Sequence, residues 1–517
     1  MEEFIRATLV VALSICLCRA PAVAGLPDGA FPVGKPDLVE HRSSQEIVPG
    51  VRVYTVDRGG ESPPSPWLVT AGIARNRVER QQRVHCLHDA GLNARFERYL
   101  VPGGSKPTLY IEVVGGRFRD EQKAKAAAVS PAGCDLKARA YAASPLYGAA
   151  SWRFYVAEIS PSVFEGHLYS SRGREAIYSR QTTSAIAQHE RALLAINGGF
   201  FVMRSSDGVV GASAGISVVN GKIESGPTSR RSYLLLRDSS PVSASIASPP
   251  SRPITLRWSD ESQTVVKGVN RRAGSARGCG VGDQPPAREP AQDETCAVQD
   301  DLVAVTGDVG FQSNPTAAVT FILHPDGKVD LSPAGDKNEV LLVATGRMVG
   351  TLSDKVAAAL RARLDLSYAA LTEYLPTDNI YAVNGAPTLL RNGAPVHDEA
   401  YEGWATVSVS RDRANFVHHW VTLRNPRTAA GVSADGTIWF VVADGHENAV
   451  DKSRSDNESA GLSIEELRSV VRHLGARDAI NLDGGGSSTL VINGKLASHP
   501  SDASGEREVG DAVVLTR

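Results

Sequence analysis

The chain has 517 residues, enough for more than one domain and a sizeable core. It is 42% hydrophobic and 22% charged, with a formal net charge of -2 at pH 7 and no long Lys/Arg run. That balance excludes a nucleic acid, or any partner held mainly by electrostatics.

At the N-terminus an apolar run from Ala7 to Leu17 precedes Ala22-Val23-Ala24, a small-x-small pattern before Gly25. Residues 1–24 therefore read as a signal peptide. The run is too short to span a bilayer comfortably, and no other segment is apolar enough, so no transmembrane segment is expected after cleavage. The expected location is secreted or periplasmic. Cleavage removes Cys16 and Cys18 and leaves Cys86, Cys134, Cys279 and Cys296. An even number in an exported chain predicts disulfides; three connectivities are allowed, and the local pairs Cys86–Cys134 and Cys279–Cys296 are the simplest. None of the spacings fits a zinc site.

Residues 25–45, polar with Pro and Gly, read as a linker. Residues 46–59 contain a strand at Val51–Val56, and Pro63, Pro64 and Pro66 mark a boundary. A compact unit follows, at 66–143. Its pattern is a strand at Trp67–Gly72, a helix from Asn76 to Ala90 stopped by Gly91, strands at Asn93–Glu97 and Thr108–Val114, a helix at Asp120–Val129 and a closing strand at Asp135–Tyr141. The order is βαββαβ. Beyond Trp152 the chain is β-rich. Asn220-Gly221, Asp326-Gly327, Asp435-Gly436 and Asn493-Gly494 each lie between apolar or β-branched runs, which signals hairpins. Ser463-Ile464-Glu465-Glu466 opens a helix with a capping-box pattern; Leu467, Val470, Val471 and Leu474 share one face, and Gly475 ends it. Residues 272–300, rich in Gly, Pro and charge, read as an inserted loop stapled by Cys279 and Cys296. The fold class is α+β.

The chemistry concentrates at strand ends. In "AINLDGGGSSTL" a buried strand ends at Asn481 and Leu482; Asp483, Gly484, Gly485, Gly486, Ser487 and Ser488 follow, and Thr489–Ile492 is the next strand. The glycines do not open a helix, which excludes a P-loop or dinucleotide fingerprint. Consecutive glycines let backbone N–H groups approach a ligand closely, suiting an anion or a sugar. "AINGGFF", with Asn197 and Gly198, and "YAVNGAP", with Asn384, repeat the pattern, so three strand ends are expected to converge. Arg427, before a hairpin, offers a planar cation for phosphate or carboxylate. Its return strand ends in Asp444-Gly445-His446, where Asp444 and His446 have acid/base capacity.

Two resemblances follow from these motifs. "WLVTAG" and "YIEVVGGRFRDEQKAKAAA" resemble a sporulation-related repeat (SPOR) domain, a family that commonly binds peptidoglycan glycan strands. "AINGGFF", "KGVNRR", "VNGAPTLLRNG", "NPRTAAGVSADGTIWFVVADG", "GLSIEELRSVVRHLGARDAINLDGGGSSTLVINGK" and "GERE", from about 150 to 517, resemble the phosphodiester glycosidase family. "EIVPGVRVYTVDRG" resembles the family's opening strand, which makes the SPOR-like unit an insertion.

The second resemblance implies hydrolysis of a glycosyl-1-phosphodiester at the anomeric carbon. Asp483, Asp444 and Arg427 would be catalytic. Asn197, Gly198, Asn481, Gly484, Gly485, Gly486, Ser487, Ser488, His446, Glu506 and Arg507 would bind substrate. His446 departs from the arginine that the family often has there. No compact metal-ligand spacing is present, although several carboxylates could hold a divalent cation. Two other readings stand beside it: a glycan-binding envelope protein without activity, and a phosphodiesterase cutting the P–O bond.

Overall fold

The computed structural model describes residues 25–59, 66–101, 107–173, 178–228, 230–277, 295–306, 317–331, 339–372, 378–404, 415–445 and 459–517. Its centre is an eight-stranded antiparallel sheet. In spatial order its strands are Glu40–Val48, Val51–Arg58, Trp152–Ile159, Ile438–Ala443, Arg427–Ser433, Ala476–Asn481, Thr388–Arg391 and Ala394–Pro395. Side chains alternate between its faces. Phe154, Val156, Val441 and Ala479 pack with Ile464, Leu467, Val470 and Val471 of the helix Ile464–His473. Tyr155, Ala157, Phe440, Val442 and Ile480 face the other way. There they meet two five-stranded sheets, through Leu194 and Ile196 of one and Leu234 and Leu236 of the other. The helix has the expected capping box: Ser463 Oγ accepts from Glu466 N at 3.1 Å, and Ser463 N donates to Glu466 Oε2 at 3.0 Å.

Val51–Arg58 pairs along its length with Trp152–Ile159, and everything between 59 and 151 leaves and re-enters at that junction. Residues 67–140 form a four-stranded antiparallel sheet with two helices: Trp67–Ala74, Arg77–Asp89, Ala94–Val101, Thr108–Phe118, Glu121–Ala127 and Lys137–Ala140. The spatial strand order is Ala94–Val101, Thr108–Phe118, Trp67–Ala74, Lys137–Ala140. Both helices start on a side-chain cap, Asn76 and Asp120. Tyr141 N donates to Pro66 O at 2.8 Å, so the module's two ends meet.

Residues 25–45 are not a free tether. Phe31 and Val33 are fully buried, and Phe31 meets Phe154 edge-on with ring centroids 4.9 Å apart. The buried Arg58 holds this segment by donating to the carbonyls of Val33, Lys35 and Leu38. Residues 40–48 add an edge strand. A second lobe, around Leu256, Trp258, Ala304, Phe321 and Leu342, has its own core. Within it Ser275–Arg277 pairs with Thr295–Ala297, forming the base of the loop expected at 272–300.

Cys86 and Cys134 are joined with a Cα–Cα distance of 5.7 Å. Cys296 is also disulfide-bonded; Cys279, like the leader at 1–24, lies outside the described residues. Among the described residues no helix is long and apolar enough to cross a membrane.

Candidate functional site

Asn197, Asn384 and Asn481 end the strands Leu194–Asn197, Ile380–Asn384 and Ala476–Asn481, and all three are buried. Each ties its own strand end to another. Asn197 Nδ2 donates to Asp483 O at 2.8 Å; its Oδ1 accepts from Thr428 Oγ1 at 2.6 Å and Thr489 N at 3.1 Å. Asn384 Oδ1 accepts from Phe200 N at 3.1 Å, and its Nδ2 donates to Phe200 O. Asn481 Nδ2 donates to Ala386 O at 2.7 Å. The three loops are thus laced into one ring, with the asparagines as its knots. A side chain at Gly198 would collide with Asp511, its ideal Cβ lying 2.3 Å from Oδ1, and Gly199 N donates to that oxygen at 2.8 Å. Burial pushes the Asp511 carboxyl above its ordinary range.

The glycine loop is folded on itself. Gly484 N donates to Asp483 Oδ1 at 2.9 Å and Gly485 N to Pro426 O at 3.0 Å. Two of the three N–H groups expected to face a ligand are therefore committed within the protein. Gly485 has φ 62°, the left-handed region in which glycine is unstrained. At Gly486 an ideal Cβ would lie 2.1 Å from Asp502 Oδ1 and 2.3 Å from Arg507 Nη2, so the loop sits directly on that ion pair. Asp502 and Arg507 are bidentate, with both bonds 2.7 Å. Around them the hydroxyls of Ser487, Ser488, Thr489 and Ser501 are buried and have no hydrogen-bond partner among the described residues. Buried polar atoms left this way are costly unless a ligand or water meets them.

Asp444 ends the strand beside Arg427–Ser433. Its Oδ1 accepts from His499 N at 2.9 Å; its Oδ2 lies 2.9 Å from His499 Nδ1 and 3.2 Å from Tyr155 OH. The Asp444 side chain is 6% exposed, whereas the His499 side chain is 42% exposed. The imidazole is therefore held at Nδ1 while the side chain stays partly exposed. Burial, together with the Asp444 charge, raises the Tyr155 hydroxyl well above its usual range. Neither His499 nor Tyr155 is marked by a sequence motif. The run Ser498-His499-Pro500-Ser501-Asp502 is polar and follows a hairpin, but its link to Asp444 appears only in three dimensions.

Gly445 and Gly484 both pack against Pro426, where an ideal Cβ would lie 2.7 Å from the Pro426 nitrogen and 2.9 Å from its carbonyl oxygen. Asp444 and Asp483 thus flank Pro426-Arg427 at one end of the large sheet. Arg427, expected to offer a planar cation to phosphate or carboxylate, is fully buried. Nε donates to Leu462 O at 2.9 Å, Nη2 to the Trp420 carbonyl, and the guanidinium lies 4.5 Å from the Trp420 ring. Glu506 Oε1 accepts from Ser184 N at 2.7 Å, in the first turn of the helix Thr183–Glu190. His446 lies outside the described residues. Among the described residues no group of three or more His, Cys, Asp or Glu is placed to hold a metal ion.

The end of the chain that carries this site has recognisable relatives. Residues 300–516 match the family described as phosphodiester glycosidase. Bovine N-acetylglucosamine-1-phosphodiester alpha-N-acetylglucosaminidase is 30% identical over 208 residues, 38% of this chain and 37% of that one. The human enzyme of that name is 32% identical over 137 residues, 26% and 24% of the two chains. The matches thus span only about a quarter to a third of the curated relatives' length. A solved protein of Burkholderia pseudomallei K96243, described as exported, superposes with a TM-score of 0.80 at 28% identity. It covers 95% of this chain and 99% of its own, so the likeness takes in the 67–140 module. Residues 300–516, with Arg427, Asp444, Asp483 and the glycine loop, are therefore similar to phosphodiester glycosidases.

Proposed function

We propose that the protein is an exported hydrolase that cleaves a glycosyl-1-phosphodiester between the anomeric carbon and the phosphate oxygen. The observation carrying this reading is the buried Asp444 paired with a partly exposed His499, in the same loop as the buried Ser501 hydroxyl and Asp502 of the Asp502–Arg507 ion pair. Water adds at the anomeric carbon, the C–O bond breaks, and the phosphate monoester leaves with the bonding electrons. The monoester is a good leaving group, so the main demand is stabilisation of the sugar cation and of the departing charge. Asp483, half-buried at the loop's start, is the carboxylate assigned to the sugar cation. His499, oriented by Asp444, takes the proton from the attacking water. The hydroxyls of Ser487, Ser488 and Thr489 and the Arg507 guanidinium suit sugar and phosphate oxygens. Arg427 is assigned a positioning role, holding the Trp420–Pro426 turn under the glycine loop.

The export reading rests on the leader-like N-terminus and the Cys86–Cys134 bond. The Burkholderia neighbour's description as exported adds to it. An envelope glycan phosphodiester is a fitting substrate class. Incubation of purified protein with a sugar-1-phosphodiester tests the reaction. Free sugar with phosphomonoester is the expected product pair. Sugar-1-phosphate would mean P–O cleavage, and binding without turnover would mean a glycan-binding protein.

A further inference from the structure

The sheet of the 67–140 module has a helix-covered face and an opposite face that is filled by this chain. Glu112, Tyr99, Tyr110, Thr70 and Arg139 stand on the second face. Glu112 is wholly buried; it accepts from Thr70 Oγ1 at 2.6 Å, Arg139 Nε at 3.2 Å and Tyr99 OH at 3.2 Å. Its Oε2 lies 3.3 Å from Nε2 of His418, also fully buried, in the wide helical turn His418–Thr422. The His418 ring stacks on Tyr110 at 5.5 Å and tilts against Tyr99 at 5.0 Å. Asn415 completes the seam, its Oδ1 accepting from Ile73 N at 3.0 Å where the strand Trp67–Ala74 is irregular. Burial alone would raise the Glu112 carboxyl, but Arg139 and His418 outweigh it and hold it well below the usual carboxylate range. Burial pushes the neighbouring His419 down to about 4.

The same turn reaches the candidate site. Trp420 stacks on Trp404 at 5.5 Å with the rings 14° apart, meets the Phe200 ring edge-on at 6.0 Å, and lies against the Arg427 guanidinium. Its ring edge closes on the glycine loop, where a Cβ at Gly484 would lie 3.1 Å from it. A route therefore runs from Glu112 by contact to His418, along the backbone of the His418–Thr422 turn to Trp420, and from the Trp420 ring to Gly484.

We propose that the 67–140 module is an internal clamp, with Glu112 a positioning residue that fixes the His418–Thr422 turn and so seats Trp420 against the glycine loop. A glycan strand could bind the centre of that sheet only if residues 415–422 left it. The clamp's effect on turnover rests on the proposed hydrolase reading; its effect on loop order does not.

Hydrogen–deuterium exchange of the full chain separates the two. Glu112→Gln keeps the shape and removes the charge. Exchange in peptides covering 415–427 and 484–489 should then rise about tenfold or more, with Leu194–Asn197 and Ala512–Thr516 unchanged. Asn415→Ala, which alters the seam from outside the module, should give the same pattern even where Glu112→Gln disrupts the module. On the proposed phosphodiester substrate both variants should raise KM or lower kcat several-fold, and Glu112→Asp should restore part of the loss. Faster exchange confined to 67–140, with 484–489 as protected as in the wild type in both variants, would overturn the clamp. Changed exchange without any turnover in the wild type would leave the clamp standing and remove the hydrolase.

Discussion

Asp444 and Asp483 both follow an apolar strand and precede a glycine, yet their surroundings separate them. Asp444 is nearly buried and binds His499 twice and Tyr155 once. Asp483 is half-buried and accepts from its own loop at Gly484 N. The first orients an imidazole; the second is the carboxylate proposed above to face the sugar cation. Asp444→Asn and His499→Ala should each lower kcat on a sugar-1-phosphodiester by about 100-fold or more, the usual size of a lost general base. Because the two act as a unit, the double variant should be scarcely worse than either single one. Steady-state kinetics check this, and multiplicative losses would refute the pairing. Asn197 makes the opposite case, since its amide is used entirely within the protein. Asn197→Ala leaves Asp483 O, Thr428 Oγ1 and Thr489 N without that partner and should cost about 3 kcal/mol in denaturant unfolding. A shift below about 0.5 kcal/mol would deny it the role of a knot.

At the scale of elements, the locally encoded pieces were legible. Asn220-Gly221 and Asn493-Gly494 turn with both residues at positive φ, as two-residue hairpins require. The Ser463–Glu466 box and the βαββαβ order carry similar short-range signals. What escaped was encoded elsewhere. Glu40–Val48 is an edge strand exposed along most of its length, so it has no apolar alternation to read. His499 meets Asp444 only because a hairpin and a strand end are brought side by side. The turn Ala400–Trp404 was equally invisible, and it carries a buried titrating group. Glu402 accepts from Thr388 N at 2.8 Å and contacts Thr388 Oγ1, and burial pushes its carboxyl up to about 7 from a usual 4.5. The folded state thus holds this proton more tightly than the unfolded chain. Its contribution is fully present below about pH 4.5 and is lost as pH rises through about 7. The whole effect is on the order of 3 kcal/mol. Glu402→Gln, which mimics the protonated carboxyl, should flatten stability between pH 4.5 and 7 in denaturant titrations. An unchanged slope would mean that another group sets it.

For the whole molecule, the decisive feature is where the small module enters. Arg58 pairs with Trp152, and Pro66 meets Tyr141, so residues 67–140 interrupt neighbouring strands without separating them. The module has its own core around Val69, Leu87 and Val113, and its own disulfide. A unit of that kind can be lost without breaking the sheet's register. Arg424 remains anchored, because the carbonyls of Ala142, Ser144 and Tyr147 that it binds lie beyond the module. Replacing residues 67–140 by a short Gly/Ser linker between Pro66 and Tyr141 should therefore keep a cooperative melt and the far-UV signature of the large sheet. The same change exposes His418 and releases the seam at Asn415. Residues 415–427 should then exchange about 100-fold faster, and turnover of the proposed substrate should fall at least tenfold. A linker variant that never folds would show that the module belongs to the central cooperative unit. One that folds with residues 415–427 still protected would show that Trp404 and Arg427 seat Trp420 without the module.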